Sequence, residues 1–340
     1  MTPHALRLGR IAGSAFATTL IALTAAWGAF ALWYQVPGSA VMKVATAGIW
    51  IVFSVAMIAA TWRRRALIAM TLFVAAFAIL LAWWHHLPAS NDRLWADDVA
   101  QMTKGTIEGS QVTLRNVRNF DWRSDTDYTQ RWETRHYDLD QLDSVDMILS
   151  YWSGPAIAHM LVSFGFSDGR HVAFSVEVRR ERSEGFSEVG GFFKEFELSV
   201  IAADERDVIR VRTNVRGEDD YLYRVRMPLQ AMRSLFVAYV DEANRLVTTP
   251  RFYNTVTANC TTLVYHMMTG IVGHLPLGYQ LLLSGYLPEY VYARGALDQR
   301  EPLDVLRALG RITERAKRAD QSPTFSADIR VGIPALTSVR

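Results

Sequence analysis

The chain has 340 residues, half of them hydrophobic, with one cysteine and a formal net charge of +2. A near-neutral balance without a basic tract interleaved with aromatic residues excludes a nucleic-acid partner. One cysteine excludes an internal disulfide in any compartment.

Three apolar runs open the chain: Ile11–Tyr34, Val41–Thr61 and Ala66–Trp84. Each is close to the roughly 20 residues a helix needs to cross a bilayer. The first is too long for a cleaved signal peptide, and two more follow it. The spacing predicts three transmembrane helices within residues 1–87. Arg7 and Arg10 precede the first run, Arg63, Arg64 and Arg65 separate the second from the third, and the Gln35–Ala40 loop is uncharged. The positive-inside rule then places the N-terminus in the cytoplasm and everything after Trp84 outside it. Trp33, Tyr34, Trp83 and Trp84 mark the outer boundary and Trp62 the inner one. The expected address is a bacterial inner membrane, with a polar connector at 88–108 and a periplasmic domain at 109–340. About 250 residues can bury a core without staples.

The periplasmic part begins with strand patterns. Gln111–Phe120 alternates, with Arg115 and Arg118 on what reads as a solvated face together with Arg123. Ala156–Phe166 and His171–Arg179 flank Ser167-Asp168-Gly169, a hairpin signal. Phe192–Ile201 and Val208–Val215 read as two further strands. From Pro228 to Asn244 the period becomes helical, and Leu275–Arg340 reads as helices and loops with an extended end. Strands and helices that segregate along the chain predict an α+β class.

Cys260 carries the chemistry. Leu263, Val264, Met267, Met268 and Ile271 follow it at helical spacing, and Asn259 precedes it as a helix-start residue. A lone cysteine is more often a small buried hydrophobe. In the first turn of a helix, however, the thiol faces unpaired N–H groups and the positive end of the dipole, and both favour thiolate. A thiolate nucleophile needs a base and the base an orienter. Of eight histidines, His4, His85 and His86 belong to the membrane part, His266 lies on another face of the cysteine helix and His274 lies beyond its end. In a hairpin closed by Ser167-Asp168-Gly169, paired residue numbers sum to about 336. His159 then faces Glu177, and His171 faces Gly165 beside the turn. Paired Cβ atoms lie about 5 Å apart, so Glu177 can hold His159. A cross-strand salt bridge is the competing role for Glu177. No cofactor motif is present, and no His/Asp/Glu pair at ligand spacing has an evident third partner for a metal.

Four segments resemble one bacterial family: His159–Phe164, Ser175–Glu181, Asp204–Ile209 and Arg251–Thr262, joined by Gly285–Tyr290 and Phe325–Arg330. The family contains the periplasmic domain of the lipoprotein N-acyltransferase Lnb. The resemblance covers roughly residues 109–335. It implies a permuted papain-like thiol domain, with His before Cys, a central antiparallel sheet and packed helices, in agreement with Cys260 and His159 as catalytic residues; Glu177, from the hairpin register, is the expected third. The order is also similar to the lecithin:retinol acyltransferase group, whose second histidine follows at the spacing His171 reproduces; His171, Asn259 and Arg179 are secondary candidates. Glu205, Arg206 and Asp207 read as an ion network, structural or in contact with substrate. The family implies acyl transfer from a membrane phospholipid, through a Cys260 thioester, to a lipoprotein N-terminus or another amine. Lnb-type enzymes carry the soluble domain before their transmembrane helices, and this chain reverses that order. A cysteine peptidase or amidase acting on cell-wall peptides, and a non-catalytic module binding lipid or lipoprotein, are the alternatives.

Overall fold

The computed structural model describes residues 3–63 and 65–336. Arg64, in the expected cytoplasmic arginine cluster, and residues 337–340, in the expected extended end, lie outside the described residues. Two compact units are present.

The first unit joins residues 1–89 with 187–195. Its helices are α1 (Pro3–Gln35), α2 (Ala40–Thr61) and α3 (Ala66–His86). All three are long and apolar enough to cross a membrane. Ile21, Trp50, Phe73 and Leu80 form their shared core. Gly28 is required there, because a Cβ would lie 2.5 Å from the Trp50 indole nitrogen. The segment 187–195 packs on the aromatic end of α1: Phe193 stacks on Phe30 and Tyr34, and the Gln35 amide donates to the Phe193 and Lys194 carbonyls.

The second unit, residues 90–186 and 196–340, is an α+β domain. Its strands are β1 (Lys104–Glu108), β2 (Gln111–Arg118), β3 (Asp121–Trp122), β4 (Tyr128–Thr129), β5 (Trp132–Asp138), β6 (Leu142–Tyr151), β7 (His159–Phe166), β8 (His171–Arg179), β9 (Glu197–Ala203) and β10 (Asp219–Arg224). The main sheet runs β1-β2-β9-β8-β7-β6-β10, with β5 also on β2, and β3-β4 forms a separate hairpin. The expected antiparallel sheet is in fact mixed: β2 meets β9 in parallel, at Arg118 opposite Ala203. β1 draws part of the expected connector into the sheet. The helices are α4 (Glu205–Val208), α5 (Leu229–Thr248), α6 (Cys260–Val272), α7 (Leu287–Ala293), α8 (Leu303–Gly310), α9 (Thr313–Ala319) and α10 (Phe325–Asp328).

Side chains alternate across a strand, and the central strands use both faces. Met160, Val162 and Phe164 of β7 join Phe174 and Val176 of β8 under α5 and α6, around Phe236 and Tyr239. Leu161, Ala173 and Ile201 face the other way, onto Val208, Ile312, Phe325 and Ile329. Strands buried on both sides read as nearly continuous apolar runs, which is the sequence of β7 and β8.

One predicted strand is wrong. Val208–Val215 is helical: Asp204 caps α4 by accepting from the Arg206 N–H, and Val211–Arg216 continues as a π-helical turn that ends at Gly217, φ 71°. The β-branched residues that suggested a strand are instead buried along a helix, where tertiary packing overrides propensity.

Candidate active site

Cys260 is the first residue of α6. The Asn259 side chain accepts from the Thr261 and Thr262 N–H groups at 2.9 and 2.8 Å, and the Thr262 hydroxyl accepts from the Asn259 N–H. This reciprocal cap satisfies the helix end and fixes the thiol's position. The Leu263 N–H is taken by the Asn259 carbonyl. The donor these bonds leave in the first turn is the Cys260 N–H.

The candidate base comes from the sheet. The β7–β8 register pairs Leu161 with Ser175 and Gly165 with His171, sums of 336 as expected. The same register carried to the strand end sets His159 beside Glu177, whose nearest oxygen is 3.4 Å from Nε2. Ser175 closes the gap. Its hydroxyl donates to Glu177 at 2.6 Å and lies 2.7 Å from His159 Nε2. A hydroxyl has one hydrogen, so Ser175 must accept from Nε2–H. That tautomer leaves Nδ1 free for the thiol, and His159 acts strongly enough on Cys260 to lower its pKa.

The electrostatics follow from these contacts. Burial pushes the His159 imidazole down and Arg212 pushes the same way, but Glu177 and the thiol outweigh both and hold it at about 9. Burial pushes the Cys260 thiol up, yet the hydrogen bond and charge of His159, the Met160 N–H and Thr261 bring it below its ordinary value. Burial also opposes charge on Glu177, but His159, Arg212 and Ser175 hold its carboxyl well below the usual range. The arrangement favours a thiolate–imidazolium pair backed by a carboxylate.

Behind Glu177 lies a cation that the sequence did not reveal. Arg212 donates from Nη2 to Glu177 and from Nη1 to Glu218, both at 3.2 Å. Glu218 and the fully buried Asp220 both contact the Ser150 hydroxyl. One hydroxyl hydrogen cannot serve two carboxylates, so one of the pair carries a proton. Burial raises Asp220 to about 7 while, against burial, Arg212 holds Glu218 below its ordinary value, so Asp220 is the member of the pair that favours a proton. Arg212 was hidden because a strand at Val208–Val215 would have aimed it elsewhere. Ser175 was hidden because an isolated strand serine carries no signal.

The remaining candidates separate. Asn259 is the cap. His171 sits opposite Gly165, six strand positions from His159 and so about 20 Å away; its Nδ1 contacts the Gly169 carbonyl. Arg179 anchors the start of the domain: it donates to the Val99 and Ala100 carbonyls and to Asn91, and lies over the Trp95 ring. Glu205 pairs with Arg330 and accepts from Ser163. Asp207 takes Arg118 through both oxygens, with the Phe120 N–H and the Trp122 indole. Arg118, expected on a solvated face, is therefore buried. Arg206 contributes its N–H to the Asp204 cap. Among the described residues no three His, Cys, Asp or Glu side chains are grouped to hold a metal ion.

Membrane-length helices ahead of a separate α+β unit define a membrane-anchored protein with a globular extramembrane domain. Residues 128–309 match the family described as the Lnb N-terminal periplasmic domain, so the chain belongs to that family and the globular domain is periplasmic. The match spans β4 through α8 and includes His159, Ser175, Glu177, Arg212 and Cys260. Neither the curated proteins nor the solved structures yield a match to the chain.

Proposed function

We propose that the chain is a thiol-dependent acyltransferase of the bacterial inner membrane, with its N-terminus in the cytoplasm and a permuted papain-like catalytic domain in the periplasm. The observation that carries this reading is a helix-capped Cys260 whose pKa is lowered by His159, an imidazole itself held by Ser175 and Glu177. Family membership supports the envelope address and the lipid chemistry.

The Cys260 thiolate attacks an ester carbonyl of a membrane phospholipid, forming the C–S bond. The carbonyl electrons move to oxygen, which the Cys260 N–H stabilises as an oxyanion. Collapse expels the lysolipid alkoxide, which takes a proton from His159, now acting as general acid. The neutral imidazole then accepts a proton from an incoming amine, such as a lipoprotein N-terminus, as it attacks the thioester. Amide forms, and thiolate and imidazolium are restored. Ser175 and Glu177 keep the imidazole in the tautomer that presents Nδ1 to sulfur, and Arg212 keeps Glu177 ionised.

Incubation of the purified protein with phospholipid plus an amine-bearing lipopeptide, and separately with muropeptides, tests this. The expected result is lysolipid and N-acylated peptide, both lost in Cys260→Ser. Muropeptide cleavage without lysolipid would replace acyl transfer with peptidase chemistry. Full function in Cys260→Ser would exclude both.

A further inference from the structure

Phe252 to Pro288 contains no Asp, Glu, Lys or Arg, a run of 37 residues where the chain's 21% charged share would place about eight. This run carries the nucleophile. Part of it is core: Leu263, Val264 and Leu281 are buried. Between Val272 and Leu283, however, it turns large apolar side chains to solvent. Val272, Leu277, Tyr279 and Leu282 are exposed, Leu277 by 82%.

This exposure is built into a fixed loop. The Tyr265 hydroxyl donates to the Leu275 carbonyl at 2.6 Å and the Tyr290 hydroxyl to the Pro276 carbonyl at 2.8 Å. Ser284 donates to the Ala158 carbonyl and accepts the Ala158 N–H, one residue before His159. Gly285 donates to the Ala156 carbonyl, and Tyr151 donates to the Gly285 carbonyl. The loop is thereby stitched to the β6–β7 connection, which exposes Trp152. Two loops flanking the His159 end of the sheet thus present an uncharged apolar surface.

We propose that the loop Gly273–Leu283, with Trp152 beside it, docks on the surface of a lipid bilayer. Contiguous exposed apolar side chains mark interaction sites, and Trp, Tyr and Leu without charge match the boundary between headgroups and acyl chains. Three membrane-length helices in the same chain keep the domain tethered at a bilayer. Tethering makes even shallow insertion of a few side chains effective. With no Lys or Arg in the surface, attachment is apolar and independent of anionic lipid. The docking surface stands whether or not Cys260 takes an acyl group.

The test uses the full chain in lipid nanodiscs. Cys260→Ser removes the one native thiol, and Leu277→Cys or Leu282→Cys then takes an environment-sensitive fluorophore. Asp143→Cys, exposed at the far end of β6, is the control. At 277 and 282 we expect blue-shifted emission, about twofold quenching by spin-labelled lipid and protection from aqueous iodide, unchanged by salt or anionic lipid. The control should show the reverse. Iodide quenching at 277 and 282 without lipid quenching would overturn the proposal. So would protection from both quenchers, which means a protein cover, or a lipid effect that disappears at high salt. Because Cys260→Ser is inactive by design, the outcome is independent of the reaction assigned to the thiol.

Discussion

Replacing Glu177 with Gln keeps the shape and removes the charge. Glu177 Oε1 lies 3.4 Å from His159 Nε2. At an effective dielectric constant of 20, a unit charge at that distance is worth about 5 kcal/mol, or roughly three to four pKa units. That exceeds the gap between the ordinary histidine value of 6.5 and the about 9 at which His159 stands. Burial and Arg212 remain in the variant, and both push the imidazole down. His159 therefore becomes neutral at pH 7, and Cys260 loses its ionic partner. A hydrogen bond to a charged group is worth about 1.5–3 kcal/mol, so alkylation of Cys260 by iodoacetamide should slow by about 10- to 100-fold at pH 7. The midpoint of its pH profile should move upward. With one cysteine in the chain, intact mass reads the reaction without ambiguity. Circular dichroism and a denatured control separate a folded, unreactive thiol from an unfolded chain. An unchanged profile in folded Glu177→Gln would refute the carboxylate's role.

Three further outcomes follow from the same geometry. His159 holds its proton up to about 9, so the acylation step, which needs the general acid, should lose rate as pH rises through that value, while alkylation of the thiolate should not. The raised value also stabilises the fold below pH 6.5, with that contribution lost between 6.5 and about 9; a pH series of melting temperatures checks the sign. Arg212→Met strands the buried Glu177 and Glu218 carboxylates, which costs about 3–5 kcal/mol and should lower the melting temperature by about 10 °C for a unit this size. Gly285→Ala puts a Cβ 2.1 Å from the Pro155 carbonyl oxygen, a backbone atom. About 1–3 kcal/mol of overpacking cost should appear as a lower melting temperature.

The thiol–histidine–glutamate trio was legible because each member has a local signal: a cap before a helix for Cys260, and the two arms of one hairpin for His159 and Glu177. Gly169, φ 84°, closes that hairpin and sets its register. Strands β6 and β10 were not legible, because buried Asp146, Ser150 and Asp220 interrupt their apolar pattern. Those polar residues are tolerated only through partners distant in sequence: Arg224 and Arg330 for Asp146, and Ser150 with Glu218 and Asp220. Arg212 was lost for the related reason that its helical turn follows from Asp204 capping and packing rather than propensity. Single-residue signals mark the candidate groups, and long-range pairing fixes what holds them.

In the proposed reaction Cys260 accepts an acyl chain from lipid. Intact-protein mass spectrometry after incubation with phospholipid tests it most directly. An added mass of one acyl chain, released by hydroxylamine and absent in Cys260→Ala, is the expected result. An unmodified protein whose Cys260 also resists a small alkylating probe would contradict it, leaving a buried structural cysteine.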